Sequence, residues 1–93
     1  MMYVISYDIS VDRLRNKIAN ELLNYGKRVQ YSVFECDITK AQCEELYQKL
    51  AVLAVQDEVG SIHFYSICEK CRKQIVVFGN QSKNETDNDV LII

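Results

Sequence analysis

Short apolar runs separated by segments of helical periodicity predict a mixed α/β fold for this chain. Residues 3–7 form a β-branched and aromatic run, which indicates a strand. The following segment repeats apolar residues at helical spacing, and we expect Ser10 to be its N-cap and Gly26 its C-cap. The predicted apolar face of this helix comprises Val11, Leu14, Ile18, Leu22 and Tyr25.

The middle of the chain holds a second β-rich run at residues 28–37. It is either one long bent strand or two short strands that turn at residues 31–32, and we favour the second because it gives a compact sheet. Thr39 begins a second helix, and Gln42, three residues later, completes a capping box. The predicted buried side of this helix comprises Cys43, Leu46, Tyr47, Leu50, Leu53 and Ala54.

The last third of the chain predicts shorter elements. We expect strands at residues 61–67 and 75–78, with residues 68–73 turning the chain between them. Residues 80–89 are polar, which predicts a disordered linker. The four apolar residues 90–93 predict an extra C-terminal strand.

The order of these elements predicts an α+β, ferredoxin-like βαββαβ domain at residues 1–79, followed by a flexible tail at residues 80–93. Its two helices are expected on one face of an antiparallel sheet. In this topology four features lie at the same end of the sheet. They are the end of the first strand, the start of the first helix, the turn between the two middle strands and the start of the last core strand. The residues expected at that end are Asp8, Ser10, Ser32 and His63, whereas Asp37 should lie at the opposite end.

Composition is that of an ordinary globular protein. Apolar residues make up 48% and charged residues 26% of the 93 residues, and no apolar run approaches the roughly 20 residues that span a bilayer. The N-terminus lacks the basic start and the long apolar stretch of a secretory signal. With four cysteines and no such signal, we expect a reduced, cytoplasmic protein without membrane contact.

Charge is distributed unevenly along the chain. The formal net charge is −2, but residues 1–34 carry +2 and residues 35–93 carry −4. Contact with a polyanion is therefore expected in the first third, although a solvated helix face explains the same pattern. The basic residues of the first third are Arg13, Arg15, Lys17, Lys27 and Arg28.

Cys68 and Cys71 form a Cys-x-x-Cys pair. A structural zinc site needs four ligands, whereas Cys36 is expected on a strand and Cys43 on a buried helix face. A thioredoxin-like redox pair needs a preceding βαβ unit, which this sequence lacks. The sequence leaves zinc binding and redox chemistry open and favours neither.

Two segments of the first third carry a family resemblance. The first is Tyr7-Asp8-Ile9-Ser10, followed by Leu14-Arg15-Asn16-Lys17. The second and more specific one is Gly26-Lys27-Arg28-Val29-Gln30-Tyr31-Ser32-Val33-Phe34-Glu35-Cys36. Together they resemble the CRISPR-associated protein 2 family, small dimeric proteins of CRISPR adaptation. The likeness covers about residues 1–78, and residues 80–93 fall outside the shared pattern.

The resemblance implies a ferredoxin-like homodimer whose first-strand aspartates face each other across the subunit interface. It implies a metal-dependent endonuclease on RNA or DNA, or a non-catalytic bridge that holds duplex DNA with the CRISPR integrase, CRISPR-associated protein 1. The implied catalytic and metal-binding residue is Asp8, with Mg²⁺ or Mn²⁺ as the ion. The implied nucleic-acid contacts are Arg15, Arg28 and Ser32, with Tyr7 and Phe34 in supporting positions and the basic Arg13 nearby.

One carboxylate per chain is too few for Mg²⁺, which requires a near-octahedral set of oxygen ligands. A homodimer supplies two Asp8 carboxylates, which face each other if they lie near the twofold axis. Nuclease activity is therefore expected to need both the dimer and a divalent metal. The alternative is that Asp8 only caps the turn after its strand.

The neighbouring side chains also have two interpretations. Arg15 lies near the edge of the helix's apolar face and is expected to bind phosphate, because no acid stands four residues before or after it. Phe34 and Tyr31 are expected to pack in the sheet rather than stack on bases. Ser32 is a candidate polar contact.

Three functions remain open from the sequence: an adaptor for the integrase, a metal-dependent endonuclease of RNA or DNA, and a small ferredoxin-like regulatory or binding module. The basic first third and the lack of a Gly-rich ligand loop count against the third. The apolar residues 90–93 are expected to add as an edge strand to the second subunit or to the integrase.

Overall fold

A computed structural model describes residues 1–58 and 60–79, together with the backbone of Leu91–Ile92. The elements are β1 (Met2–Asp8), α1 (Asp12–Leu23), β2 (Lys27–Gln30), β3 (Val33–Asp37), α2 (Lys40–Ala54), β4 (Ser61–Ile67), α3 (Glu69–Arg72), β5 (Val76–Val77) and β6 (Leu91–Ile92). The linker predicted at residues 80–89 lies outside the described residues. Residues 68–73, expected as a plain turn, contain the single-turn helix α3.

The main sheet has four strands in the order β2-β3-β1-β4, with every neighbouring pair antiparallel. This is the ferredoxin-like arrangement that the element order predicts, and it is confirmed. The extra C-terminal strand β6 pairs in parallel with β5 of the same chain, in a separate two-stranded sheet. Its addition to a partner remains a prediction.

The central strand β1 has two different faces because alternate side chains of a strand point in opposite directions. Tyr3, Ile5 and Tyr7 are buried against the helices and form one side of the core. Val4 and Ser6 lie on the other face, which we call the helix-free face. The core is completed by Leu14, Ile18, Ala19, Leu22, Phe34, Cys36, Ile38, Leu46 and Leu50, among others.

The hairpin β2–β3 turns at residues 31–32, which confirms the two-strand interpretation. Gly26, just before β2, is not the C-cap of α1 as predicted, because the cap is Asn24 and the backbone of Gly26 has no positive φ. Glycine is needed there for space. A Cβ on Gly26 would lie 2.8 Å from the Cα of Cys36 and closer still to the carbonyl oxygen of Glu35.

The two long helices begin differently. The capping box of α2 is confirmed, since Gln42 N donates to Thr39 Oγ1 at 3.1 Å and Thr39 N donates to Gln42 Oε1 at 2.9 Å. The expected N-cap Ser10 of α1 is wrong: the cap is Val11, and no side chain caps the helix there. The expected burial of Tyr47 is also wrong, because this ring is 55% exposed.

Candidate nucleic-acid and metal site

The strand register brings the predicted site residues to one end of the sheet. Asp8 is the β1 partner of Ser61, and Ser6 is the partner of His63. Tyr7 N donates to the carbonyl oxygen of Ser32 at 3.1 Å. Asp37 pairs with Met2 at the other end. The predicted grouping around Asp8 is therefore confirmed, as is the separation of Asp37 from it.

Asp8 ends β1 with an exposed side chain. Within the part of the chain that the structure describes, nothing donates a hydrogen bond to its carboxylate or forms an ion pair with it. The turn-capping alternative therefore has no support. By strand alternation Asp8 shares the helix-free face with Val4 and Ser6, so its oxygens are available to a ligand on that side.

The loop after Asp8 is held by a carboxylate that the sequence did not single out. Asp57, between α2 and β4, is only 7% exposed. Its Oδ2 accepts hydrogen bonds from Ser10 N at 2.8 Å and Ser10 Oγ at 2.9 Å. The available signal was the pair Asp57 and Gly60, which form a turn in which Gly60 N donates to the Asp57 carbonyl oxygen at 3.2 Å.

Arg28 lies over two aromatic rings at the same end of the sheet. Its Cζ is 5.3 Å from the centroid of the Phe34 ring and 5.9 Å from that of Tyr31. Its Nη2 donates to Tyr7 Oη at 3.5 Å, and Tyr7 also stacks on Phe34 with 6.3 Å between ring centroids. Phe34 is buried as expected, whereas Tyr31 is 71% exposed, so its expected packing in the sheet is wrong.

Arg15 is more constrained than its sequence context suggested. Its Nη1 donates to the Ile9 carbonyl oxygen at 2.8 Å, and its Nη2 pairs with Asp12. Asp12 stands three residues before Arg15, a spacing that also allows an ion pair within a helix, whereas the prediction considered only positions four residues away. The hydrogen bond to Asp12 also raises the pKa of Arg15. Arg13, in the same turn, is exposed.

The basic and acidic residues lie on opposite faces of the sheet. Arg28 is the cross-strand partner of Phe34, whose ring is in the core on the helix side. Asp8 lies on the helix-free face. The predicted residues therefore share one end of the sheet, with the arginines on the helix side and the carboxylate on the other.

A metal ion would find few ligands among the described residues of this chain. Across residues 1–58 and 60–79, no group of three or more His, Cys, Asp or Glu side chains is placed to hold an ion. Asp8 supplies a hard oxygen donor on an open face, which suits Mg²⁺ or Mn²⁺ only if further oxygens come from water or a second subunit.

A sequence model described as CRISPR associated protein Cas2 matches residues 1–75. The chain belongs to the CRISPR-associated Cas2 family. Its predicted resemblance is thereby confirmed. A protein of Chloroflexus aurantiacus named CRISPR-associated endoribonuclease Cas2 1 is 46% identical over 93 residues, which cover 100% of both chains. The match to the family model ends at residue 75, in agreement with the expectation that residues 80–93 lie outside the family's shared pattern, whereas the alignment with this relative also spans those residues.

Solved structures of the Cas2 family have the same fold. The crystal structure of Streptococcus pyogenes Cas2 at pH 6.5 matches with a TM-score of 0.73 and 27% identity, covering 85% of this chain and 100% of that one. A chain of a partial Cas6-RT-Cas1–Cas2 complex matches with a TM-score of 0.65 and 32% identity, covering 75% and 76% of the two chains. None of the helices that the structure describes is long and apolar enough to cross a membrane.

Proposed function

We propose that this chain forms a homodimer that binds duplex DNA together with the CRISPR integrase, CRISPR-associated protein 1 (Cas1), during spacer acquisition. The observation that carries the proposal is the exposed guanidinium of Arg28 beside the exposed ring of Tyr31, at one end of the sheet. Membership of the Cas2 family supports the process, and the neighbour solved in a complex with Cas1 supports the partner.

The helix-free face of the sheet supports the dimer. Val4 shares this face with its cross-strand partners Glu35 and Tyr65, and Val33 and Ile67 add apolar area. A two-layer fold leaves such a face without a covering layer, and pairing two copies buries it. Asp8 lies on the same face, so a twofold axis through it brings two carboxylates together.

The arginines support contact with the phosphate backbone. Arg28 is held over the Phe34 ring and beside Tyr7, which leaves its outer N–H groups free to pair with phosphate. Arg13 adds an exposed positive charge, and Ser32 a nearby hydroxyl. Such contacts carry no base-sequence information, as an adaptor for varied spacers requires.

A second function, metal-dependent cleavage of single-stranded RNA or of DNA, is supported by the open carboxylate of Asp8 and by the endoribonuclease name of the relative. Two Asp8 side chains, one from each subunit, would hold one Mg²⁺ or Mn²⁺. A divalent ion held by these carboxylates would supply activation of water for phosphodiester hydrolysis. Arg28 would hold the strand at the same end of the sheet.

The four free cysteines fit a reducing compartment, and we propose that the protein works in the cytoplasm.

The test is Asp8→Ala, assayed both for Mg²⁺-dependent cleavage and for spacer acquisition with the integrase. We expect cleavage to be lost and acquisition to survive. Glu44→Ala, which removes an exposed charge from α2, is the matched control and should change neither assay. Unchanged cleavage in Asp8→Ala would exclude Asp8 as a catalyst, and loss of acquisition in an intact dimer would show that the adaptor also needs this carboxylate.

A further inference from the structure

The segment that joins β4 to β5 carries two cysteines that the proposed function does not use. Cys68 caps α3, and Cys71 lies in the single turn of that helix. Both side chains are exposed. Cys71 N donates to Cys68 Sγ at 3.4 Å, so the Cys68 sulfur lies against the backbone of its partner.

We propose that Cys68 and Cys71 are a reversible dithiol–disulfide site, oxidised by a low-molecular-weight disulfide such as oxidised glutathione. Residues three apart in a helical turn have Cα atoms about 5 Å apart, inside the roughly 4.4–6.8 Å that a disulfide spans. The hydrogen bond from Cys71 N to Cys68 Sγ shows that this turn brings the first sulfur to the backbone of the second cysteine, as closure of a disulfide requires.

The exchange takes place in two balanced steps. The Cys68 thiolate attacks one sulfur of the glutathione disulfide, whose S–S bond breaks and releases one glutathione thiolate. Cys71 then loses its proton and attacks the Cys68 sulfur of the mixed disulfide, which releases the second glutathione thiolate. The two cysteines lose two electrons, and the glutathione disulfide gains them as two thiols.

The surroundings of the two cysteines distinguish the attacking thiolate from the resolving thiol. Hydrogen bonds from the backbone and side chain of Cys71 lower the pKa of the Cys68 thiol, whereas the Cys68 sulfur raises the pKa of Cys71. Cys68 is therefore the attacking thiolate and Cys71 the resolving thiol. Lys70 and Lys73, exposed in the same segment, attract the carboxylates of glutathione.

The other two cysteines are internal controls. Cys36 is fully buried, and burial raises its pKa to about 11. Burial also raises the pKa of Cys43, which is half-buried. Neither presents a thiolate to solvent in the folded protein.

The cysteine pair is remote from the proposed nucleic-acid surface. Arg72, next to Cys71, donates from Nη1 to Asp37 Oδ2 at 2.9 Å, which fastens α3 to the end of the sheet opposite Asp8. Failure of the dithiol proposal would therefore leave the proposed function untouched, and the reverse also holds.

The experiment treats the folded full-length protein with oxidised glutathione, then unfolds it and labels every remaining thiol with a maleimide. The reduced chain should take four labels, one for each cysteine, and the treated chain two fewer, with peptide mapping placing the link between Cys68 and Cys71. Reduced glutathione in excess should restore all labels. Cys71→Ser should stop at a stable glutathione adduct on Cys68.

Two control variants complete the design. Cys68→Ser retains an oxygen that can cap α3, and it should neither close a disulfide nor accumulate the adduct. Cys43→Ser should oxidise as the wild type does. An unresolved adduct in the wild type, a link that maps to Cys36 or Cys43, or equimolar zinc that holds the pair inert to glutathione disulfide until a chelator is added would each overturn the proposal.

Discussion

The buried carboxylate of Asp57 accepts both the backbone N–H and the hydroxyl of Ser10, and so ties the α2–β4 loop to the loop that follows β1. Ser10 stands two residues after Asp8. The position of the candidate metal ligand therefore depends on a residue almost fifty positions further along the chain. This contact also explains why Ser10 does not cap α1, since its hydroxyl is engaged elsewhere.

Asp57→Ala should lower the free energy of unfolding by about 2 kcal/mol, because it removes a buried carboxylate that accepts two part-buried hydrogen bonds from Ser10. Urea denaturation at fixed protein concentration measures this. Ser10→Ala removes only one donor and should cost about 1 kcal/mol. A loss below about 0.5 kcal/mol in Asp57→Ala, the range of ordinary surface changes, would show that the contact does not stabilise the fold.

Arg28→Ala should weaken duplex binding more than Arg15→Ala, because Arg15 already pairs with Asp12 and the Ile9 carbonyl oxygen. The double variant should also flatten the salt dependence, by about 0.9 in the slope of log K against log salt for each phosphate that is no longer neutralised. Binding titrations over a range of salt concentrations measure both effects.

Lys40→Ala is the matched control for these arginines. Lys40 is exposed at the start of α2, at the opposite end of the sheet. Its removal should leave the salt slope near that of the wild type. If Lys40→Ala flattened the slope as much as Arg28→Ala does, the binding surface would lie elsewhere on the protein.

Gly26→Ala should destabilise the fold by about 3 kcal/mol, because the added Cβ meets backbone of β3 that cannot rotate away. Asn24→Ala, at the C-cap two residues earlier, should change stability by less than about 0.5 kcal/mol. Thermal or urea unfolding distinguishes the two. Equal effects at both positions would contradict the close approach of Gly26 to β3.

The pKa of Asp37 is lowered by its hydrogen bond from Arg72 and by the N-terminal amine of Met1. A lowered folded-state pKa contributes stability that is fully present above the unfolded value of about 3.9 and is lost as the pH falls through the folded value. Because the carboxylate is half exposed, the contribution should be only about 0.5 kcal/mol.

Asp37→Asn provides the measurement for this ion pair. It should be less stable than the wild type near pH 7, and the difference should vanish in acid below the folded-state pKa, where the wild-type carboxyl is also neutral. A difference that persists unchanged into strong acid would assign the effect to packing instead of charge.

Most features of the fold that the sequence predicted correctly follow from local sequence patterns. The capping box of Thr39 and Gln42, the turn at residues 31–32 and the alternation of β1 each depend on neighbours a few positions apart, so short stretches of sequence determine them. The end of the sheet that holds Asp8 and Ser32 also followed, because element order constrains strand direction.

Contacts between distant segments decided the rest. The sequence by itself determined the order of the main elements, the family and the gathering of Asp8, Ser10 and Ser32 at one end of the sheet. Only the tertiary structure decided that Asp8 and Arg28 lie on opposite faces, that Tyr31 is exposed and that Asp57 holds Ser10. Those features depend on strand register and on contacts between loops that are distant in sequence. The local periodicity of the sequence does not determine such contacts.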